Sequence, residues 1–173
     1  TVVDCQNNDG RRGLVFEPHG GYPGETENTV IEGLTIANGY FSNGTDGAGV
    51  YINSASPVFN NCIVTNNTVY HYTNNSHSAG GGVYANNSNA TFNNCVISNN
   101  RVDARVNHSS HDASAYGGGI NISGSSNVTL NRCTVTNNTS RGYDQDNNQI
   151  KTKVIQEKAL TIFLNNQEIV TLM

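Results

Sequence analysis

The stretch GVYANNSNATFNNCVISNN, residues 82–100, decides the fold because the chain writes it more than once. GVYINSASPVFNNCIVTNN precedes it at 49–67, and GINISGSSNVTLNRCTVTNN follows at 119–138. A more diverged copy, NTVIEGLTIANG, occupies 28–39. Internal repetition at this period predicts a solenoid, in which each repeat buries its apolar face only against its neighbours.

Aligning the copies fixes a register. Ile31, Phe59, Phe92 and Leu130 share one slot, and Leu34, Cys62, Cys95 and Cys133 share the next. Ile36, Val64, Ile97 and Val135 form a third, and Asn38, Asn66, Asn99 and Asn137 a fourth. The second and third slots lie two residues apart, which is the strand period. Between them stand Thr35, Ile63, Val96 and Thr134, β-branched residues suited to an outward strand face. Like slots then stack one strand spacing apart, about 4.8 Å. The expected fold is all-β: a fragment of a right-handed parallel β-helix, with the first three slots as interior apolar ladders. Strand twist favours the right hand, and the family resemblance described below implies the same. Asn38, Asn66, Asn99 and Asn137 are expected to hydrogen-bond from coil to coil as an amide ladder. Their neighbours Asn67, Asn100 and Asn138 are expected in the left-handed turn conformation.

The spacing between copies grows. Leu34 to Cys62 is 28 residues, Cys62 to Cys95 is 33, and Cys95 to Cys133 is 38. The excess falls in TVYHYTNNSHSAGG (68–81) and RVDARVNHSSHDASAYGG (101–118), expected to leave the stack as neighbouring loops. Past residue 140 the grammar changes: the last glycine is Gly142, and every lysine (Lys151, Lys153, Lys158) lies beyond residue 150. We therefore expect a β-helix of four to five coils over 1–139, a polar linker over 140–149 (SRGYDQDNNQ), and a tail over 150–173. Two alternating apolar runs around Asn165-Asn166 predict a C-terminal β-hairpin in that tail, either the start of a second domain or a chimeric end. Residue 1 falls inside a repeat, so the chain reads as a fragment of something longer.

The motifs NTVIEGLTIANG, GGGVY, SPVFNNCIVTNN and ATFNNCVISNN resemble the right-handed parallel β-helix repeats of the pectin-lyase-like superfamily. Within it they are most similar to surface proteins with polymorphic-outer-membrane-protein-like repeats. The resemblance covers roughly residues 1–140. The glycines here read GGGV and GGGI where that pattern favours GGA, and the phenylalanine box reads FNNC. The resemblance implies a secreted or cell-surface setting. It spans polysaccharide lyases and hydrolases as well as adhesins, so it implies a fold more than an activity. The tail has its own resemblance: Glu157, Leu160, Ile162 and Asn165 are similar to the opening strand pair of formate dehydrogenase accessory sulfurtransferases. That family carries sulfur on a Cys-x-x-Cys pair, which does not occur here, so a truncated sulfurtransferase would lack its chemistry.

Candidate chemistry is sparse. The stacked Cys62, Cys95 and Cys133 lack zinc-type or redox-type spacing and read as small buried hydrophobes, with Cys5 in the first partial coil. His71 and His77 in one insertion, with His108, His111 and Asp112 in the next, could hold a divalent metal if the loops stack. Solvated polar loop sequence is the alternative. Polysaccharide hydrolysis needs paired carboxylates, but no acid recurs at one slot, and only Glu32 falls on a repeated strand. Arg132, at the position of Asn61 and Asn94, is expected to point outward from a strand. N-x-Ser/Thr triplets at Asn43, Asn66, Asn74, Asn89, Asn107 and Asn127 matter only where secreted proteins are glycosylated. No catalytic residue and no cofactor is expected. A net charge of −4 with no basic patch before residue 150 argues against nucleic acid. No apolar run is long enough to span a bilayer. The expected role is a non-catalytic, adhesin-like segment that binds glycans or surface proteins. The alternative is a lyase or hydrolase fragment whose catalytic coils lie elsewhere.

Overall fold

The computed structural model describes residues 1–42, 46–72, 76–106, 113–150, 160–164 and 167–172. Its strands fall into stacked parallel sheets, one rung per coil. Sheet I contains Leu14–Phe16, Val50–Asn53, Val83–Asn86 and Ile120–Ser123. Sheet II contains Val30–Glu32, Val58–Asn60, Thr91–Asn93 and Thr129–Asn131. Sheet III runs from Val2–Asp4 through Thr35–Ala37, Ile63–Thr65 and Val96–Ser98 to Thr134–Thr136. Sheet IV contains Tyr40–Ser42, Thr68–Tyr72, Arg101–Arg105 and Thr139–Tyr143, with Gln149–Ile150 added antiparallel at its end. The third and fourth coils carry one further paired strand each, Ser76–Ala79 and Ala113–Tyr116.

The register follows the sequence slots. Ile31 lies opposite Phe59, Phe59 opposite Phe92, and Phe92 opposite Leu130. Ile36, Val64, Ile97 and Val135 align in the same way. Phe59 and Phe92 are fully buried and stack face to face, centroids 4.6 Å apart at 3°, and Phe16 meets Phe59 edge-on at 5.7 Å. Cys62 and Cys95 are buried, while Leu34 and Cys133 pack against the same core half-covered. The expectation of a wholly interior ladder fails at the last coil: Leu130 and Val135 are exposed, because nothing described stacks below them.

The insertions differ from the expected loops. Each opens with a strand of sheet IV, whose Val69 and Val102 face inward with no exposure. With Ala48, Ala104, Val106, Ala113 and Ala115 these residues build a second, small-residue core. The expected linker over 140–149 is corrected as well. Thr139–Tyr143 is a strand of the stack in register with Arg101–Arg105, and Gln149–Ile150 folds back on it around the Asp144 turn. In the tail, Leu160–Leu164 pairs antiparallel with Gln167–Leu172, with a register shift between Ile162 and Phe163. The Asn165-Asn166 turn itself lies outside the described residues.

The asparagine assignment is reversed. Asn38, Asn66, Asn99 and Asn137, expected as the amide ladder, adopt φ of 58°, 56°, 55° and 54° and turn the chain from sheet III into sheet IV. Their neighbours Asn67, Asn100 and Asn138, expected in that conformation, form the ladder instead. The cause is geometric: a left-handed corner residue breaks the strand alternation, so the residue after it swings inward. Asn67 and Asn100 are almost completely buried. The Asn67 amide donates from its backbone N and from Nδ2 to Asn100 Oδ1, both at 3.0 Å. Asn100 repeats both bonds to Asn138 Oδ1 at 2.9 and 3.1 Å. Each Nδ2 also reaches a carbonyl of the preceding coil: Asn67 to Ile36, Asn100 to Val64, Asn138 to Ile97. Gly49, Gly82 and Gly119 pack on these amides so closely that a Cβ would sit 2.7 Å from Nδ2. This contact explains the glycine that opens each copy.

Two stability predictions follow. Phe92→Ala should lower unfolding free energy by about 3–5 kcal/mol, the range for a buried aromatic. Asn100→Ala strips partners from buried amides above and below it, each worth about 1–3 kcal/mol when left unpaired, whereas Asn99→Gly should be close to neutral because glycine accepts the left-handed corner. Denaturant titration of the three variants checks both, and equal losses at Asn99 and Asn100 would contradict the ladder.

Candidate functional site

With the interior given to apolar and amide ladders, chemistry is left to the outer face. The corner between sheets II and III holds Gly33, Asn61, Asn94 and Arg132, all at positive φ. Arg132 therefore sits in an exposed turn, and not on a strand as expected. Glu32 lies within 3.5 Å of Asn61 Nδ2 on the outer face of sheet II. Asn60, Asn93 and Asn131 form a second amide ladder on that face, with bonds of 2.9 and 2.8 Å. Sequence reasoning missed it, although the FNNC box places an asparagine at this slot in consecutive copies.

The candidate metal cluster does not come together as a described site. His71 lies half-buried in Thr68–Tyr72, opposite Ala104. His77 is described only by its backbone, opposite Ser114, and His108, His111 and Asp112 lie outside the described residues. Among the described residues no three His, Cys, Asp or Glu side chains converge as metal ligands.

The sulfur ladder is inert by geometry. Each thiol points at backbone carbonyls: Cys62 at Ile31 and Asn60, Cys95 at Phe59 and Asn93. Burial pushes the Cys95 thiol up to about 11, so almost none is thiolate at neutral pH. Iodoacetamide at pH 8 should spare Cys62 and Cys95 in the folded chain and label the half-buried Cys133. Mass spectrometry of the labelled peptides checks this, and native labelling of Cys95 as fast as in denaturant would contradict it.

Two outer surfaces concentrate aromatic and cationic groups. On sheet I, the column Val15, Tyr51, Tyr84, Asn121 runs down the stack. Tyr51 and Tyr84 stack at 5.4 Å and 14°. Arg12 lies over the rings of Phe41 (4.2 Å) and Tyr51 (4.8 Å). It donates from Nη2 to the Asp46 carbonyl at 2.9 Å and from Nε to the Gly47 carbonyl at 3.2 Å. Burial pulls the Arg12 guanidinium below its ordinary value, and burial followed by the neighbouring Tyr84 raises the Tyr51 hydroxyl.

On sheet IV the outward residues are Thr68, Tyr70 and Tyr72 in one coil, Arg101, Asp103 and Arg105 in the next, then Thr139, Arg141 and Tyr143. Arg105 lies between two rings, 4.3 Å from Tyr143 and 5.6 Å from Tyr70, and its Nη1 donates to Asn147 Oδ1. Asp103 is 2% exposed and accepts from Arg101 Nε at 2.9 Å, with a second contact from Nη2. Hydrogen bonding to Asp103 holds the Arg101 guanidinium above its usual range. The sequence placed these residues in loops, so their alignment could not be read before sheet IV was known.

A family model of the right-handed beta helix region matches residues 24–172, a span that includes the tail. Neither a search of curated proteins nor one of solved structures finds a match. The family match, the parallel sheets and the coil-by-coil register agree: the chain belongs to the right-handed β-helix family.

Proposed function

We propose that this chain is a binding segment of a secreted or cell-surface β-helix protein, adhesin-like rather than catalytic, engaging glycans or surface proteins through its outer face. The observation that carries this reading is the outward clustering of tyrosine and arginine: Arg105 between Tyr70 and Tyr143, and Arg12 against Phe41 and the Tyr51–Tyr84 stack. Tyrosine and arginine are enriched in binding hot spots: tyrosine presents a large contact area with few rotors to freeze, and arginine a fork of hydrogen-bond donors. Here cation–π contacts already hold the side chains in place before a partner arrives. A rigid stack also displays them at fixed spacing, which lowers the ordering cost of association.

The purified chain should bind in a panel of immobilised polysaccharides and extracellular-matrix proteins. It should release no unsaturated or reducing ends from pectin or alginate. Arg105→Ala or Tyr70→Ala should weaken binding to a protein partner by about 2 kcal/mol, roughly thirtyfold, if the sheet IV surface is its hot spot. Product release that disappears on substitution of Glu32 or Arg132 would overturn the non-catalytic reading.

A further inference from the structure

The tyrosine column of sheet I stops one rung short. Tyr84 stacks under Tyr51, and the register puts Asn121, a much smaller side chain, where the next ring would stand. A second column runs beside it. Asp46 lies opposite Ala79, and Ala79 opposite Tyr116, which is 49% exposed. Large and small side chains thus alternate on a diagonal, Tyr84 beside Ala79 in one coil and Tyr116 beside Asn121 in the next. The result is an open cleft of about 350 Å³ lined by Asp46, Tyr84, Tyr116, Asn121 and Ser123 among others. This is within the usual size range of small-molecule sites. The Tyr84 hydroxyl accepts a hydrogen bond from Ser123 Oγ at 3.2 Å, which fixes the ring at the cleft wall.

We propose that this cleft binds one uncharged pyranose unit of a glycan, stacked on Tyr84 in place of the missing ring. Every part of that assignment is chemical. An aromatic face takes the C–H face of a sugar ring as it takes another ring. The Asn121 amide supplies both donors and an acceptor, and Ser123 an acceptor oxygen, a set that matches sugar hydroxyls. The lining contains no arginine or lysine, so the anionic group of a uronate or sulfated sugar would find no cationic side chain in it. The proposal rests on the binding reading above and narrows it to one ligand class at one place.

The decisive variant is Asn121→Tyr, which completes the column and fills the cleft without opening a cavity in the core. The chain has no tryptophan but eight tyrosines, so the site is reported by the part of the ligand-induced change in tyrosine emission that Tyr84→Ala removes. Neutral cello-, manno- and galacto-oligosaccharides and trigalacturonate serve as probes, by tyrosine fluorescence and calorimetry. At least one neutral series should bind, and trigalacturonate should bind at least tenfold more weakly. Asn121→Tyr and Tyr84→Ala should each cost at least tenfold in affinity, with the melting temperature of Asn121→Tyr not lowered. Unchanged affinity in Asn121→Tyr, or preference for trigalacturonate, would overturn the cleft assignment. Binding that survives Asn121→Tyr but falls in Arg105→Ala would overturn the cleft and leave the binding reading standing. Failure of the unaltered chain to bind any of these probes would overturn the cleft, and failure across the wider panel as well would overturn both.

Discussion

The amide ladder of Asn67, Asn100 and Asn138 is the constraint on which the rest of the stack depends. A coil must turn sharply between sheets III and IV, and the backbone groups at that turn are carried inside, away from water. Left unpaired, each would cost about 1–3 kcal/mol. The asparagine side chain resolves the problem because one amide is both donor and acceptor: Oδ1 takes two bonds from the coil before it, and Nδ2 returns one to a carbonyl there. The glycines at 49, 82 and 119 are the counterpart, since any side chain would displace the amides. Corner, ladder and glycine form one unit, and the apolar slots are set in register by it.

The fold was legible in the sequence to the degree that it repeats. Phenylalanine, cysteine and valine slots recur at fixed offsets, and these offsets alone aligned Phe59 with Phe92 and Cys62 with Cys95. Reading failed where one residue changes conformation. Asn66 and Asn67 are the same amino acid, and alternation favours the first as the inward one; only the left-handed φ of Asn66 shifts the inward position by one. It failed again where repeats diverge. Thr68–Tyr72 and Arg101–Arg105 share almost no residues, so their pairing in sheet IV left no pattern to find. The candidate binding surface on sheet IV depends on that pairing, and the histidines were conspicuous only as residue types.

Inside and outside of the solenoid obey different rules. Inward slots can change size, as Phe16, Ile52 and Ala85 do on sheet I, only where neighbouring side chains fill the space, because an unfilled one opens a cavity between rungs. Outward slots carry no such penalty, so the column on sheet I can pass from valine through two tyrosines to asparagine. The same stacking that demands a filled interior turns each outward substitution into a bump or a notch of one side chain's size. Surface shape is written at the resolution of single residues on a scaffold that does not move to accommodate them.

The ladder also has a direction in time. The Asn67 backbone amide finds its acceptor only in Asn100, and Asn100 only in Asn138, each belonging to the next coil to be made. On a ribosome adding about 5–20 residues per second, a coil that separates such asparagines by 33 residues waits about 2–7 s for the partner that satisfies it. During synthesis every newest coil is provisional, closed above by its predecessor and open below. Consolidation therefore trails translation by one turn, and a pause within a coil prolongs the exposure of the turn before it as well as of the one being made.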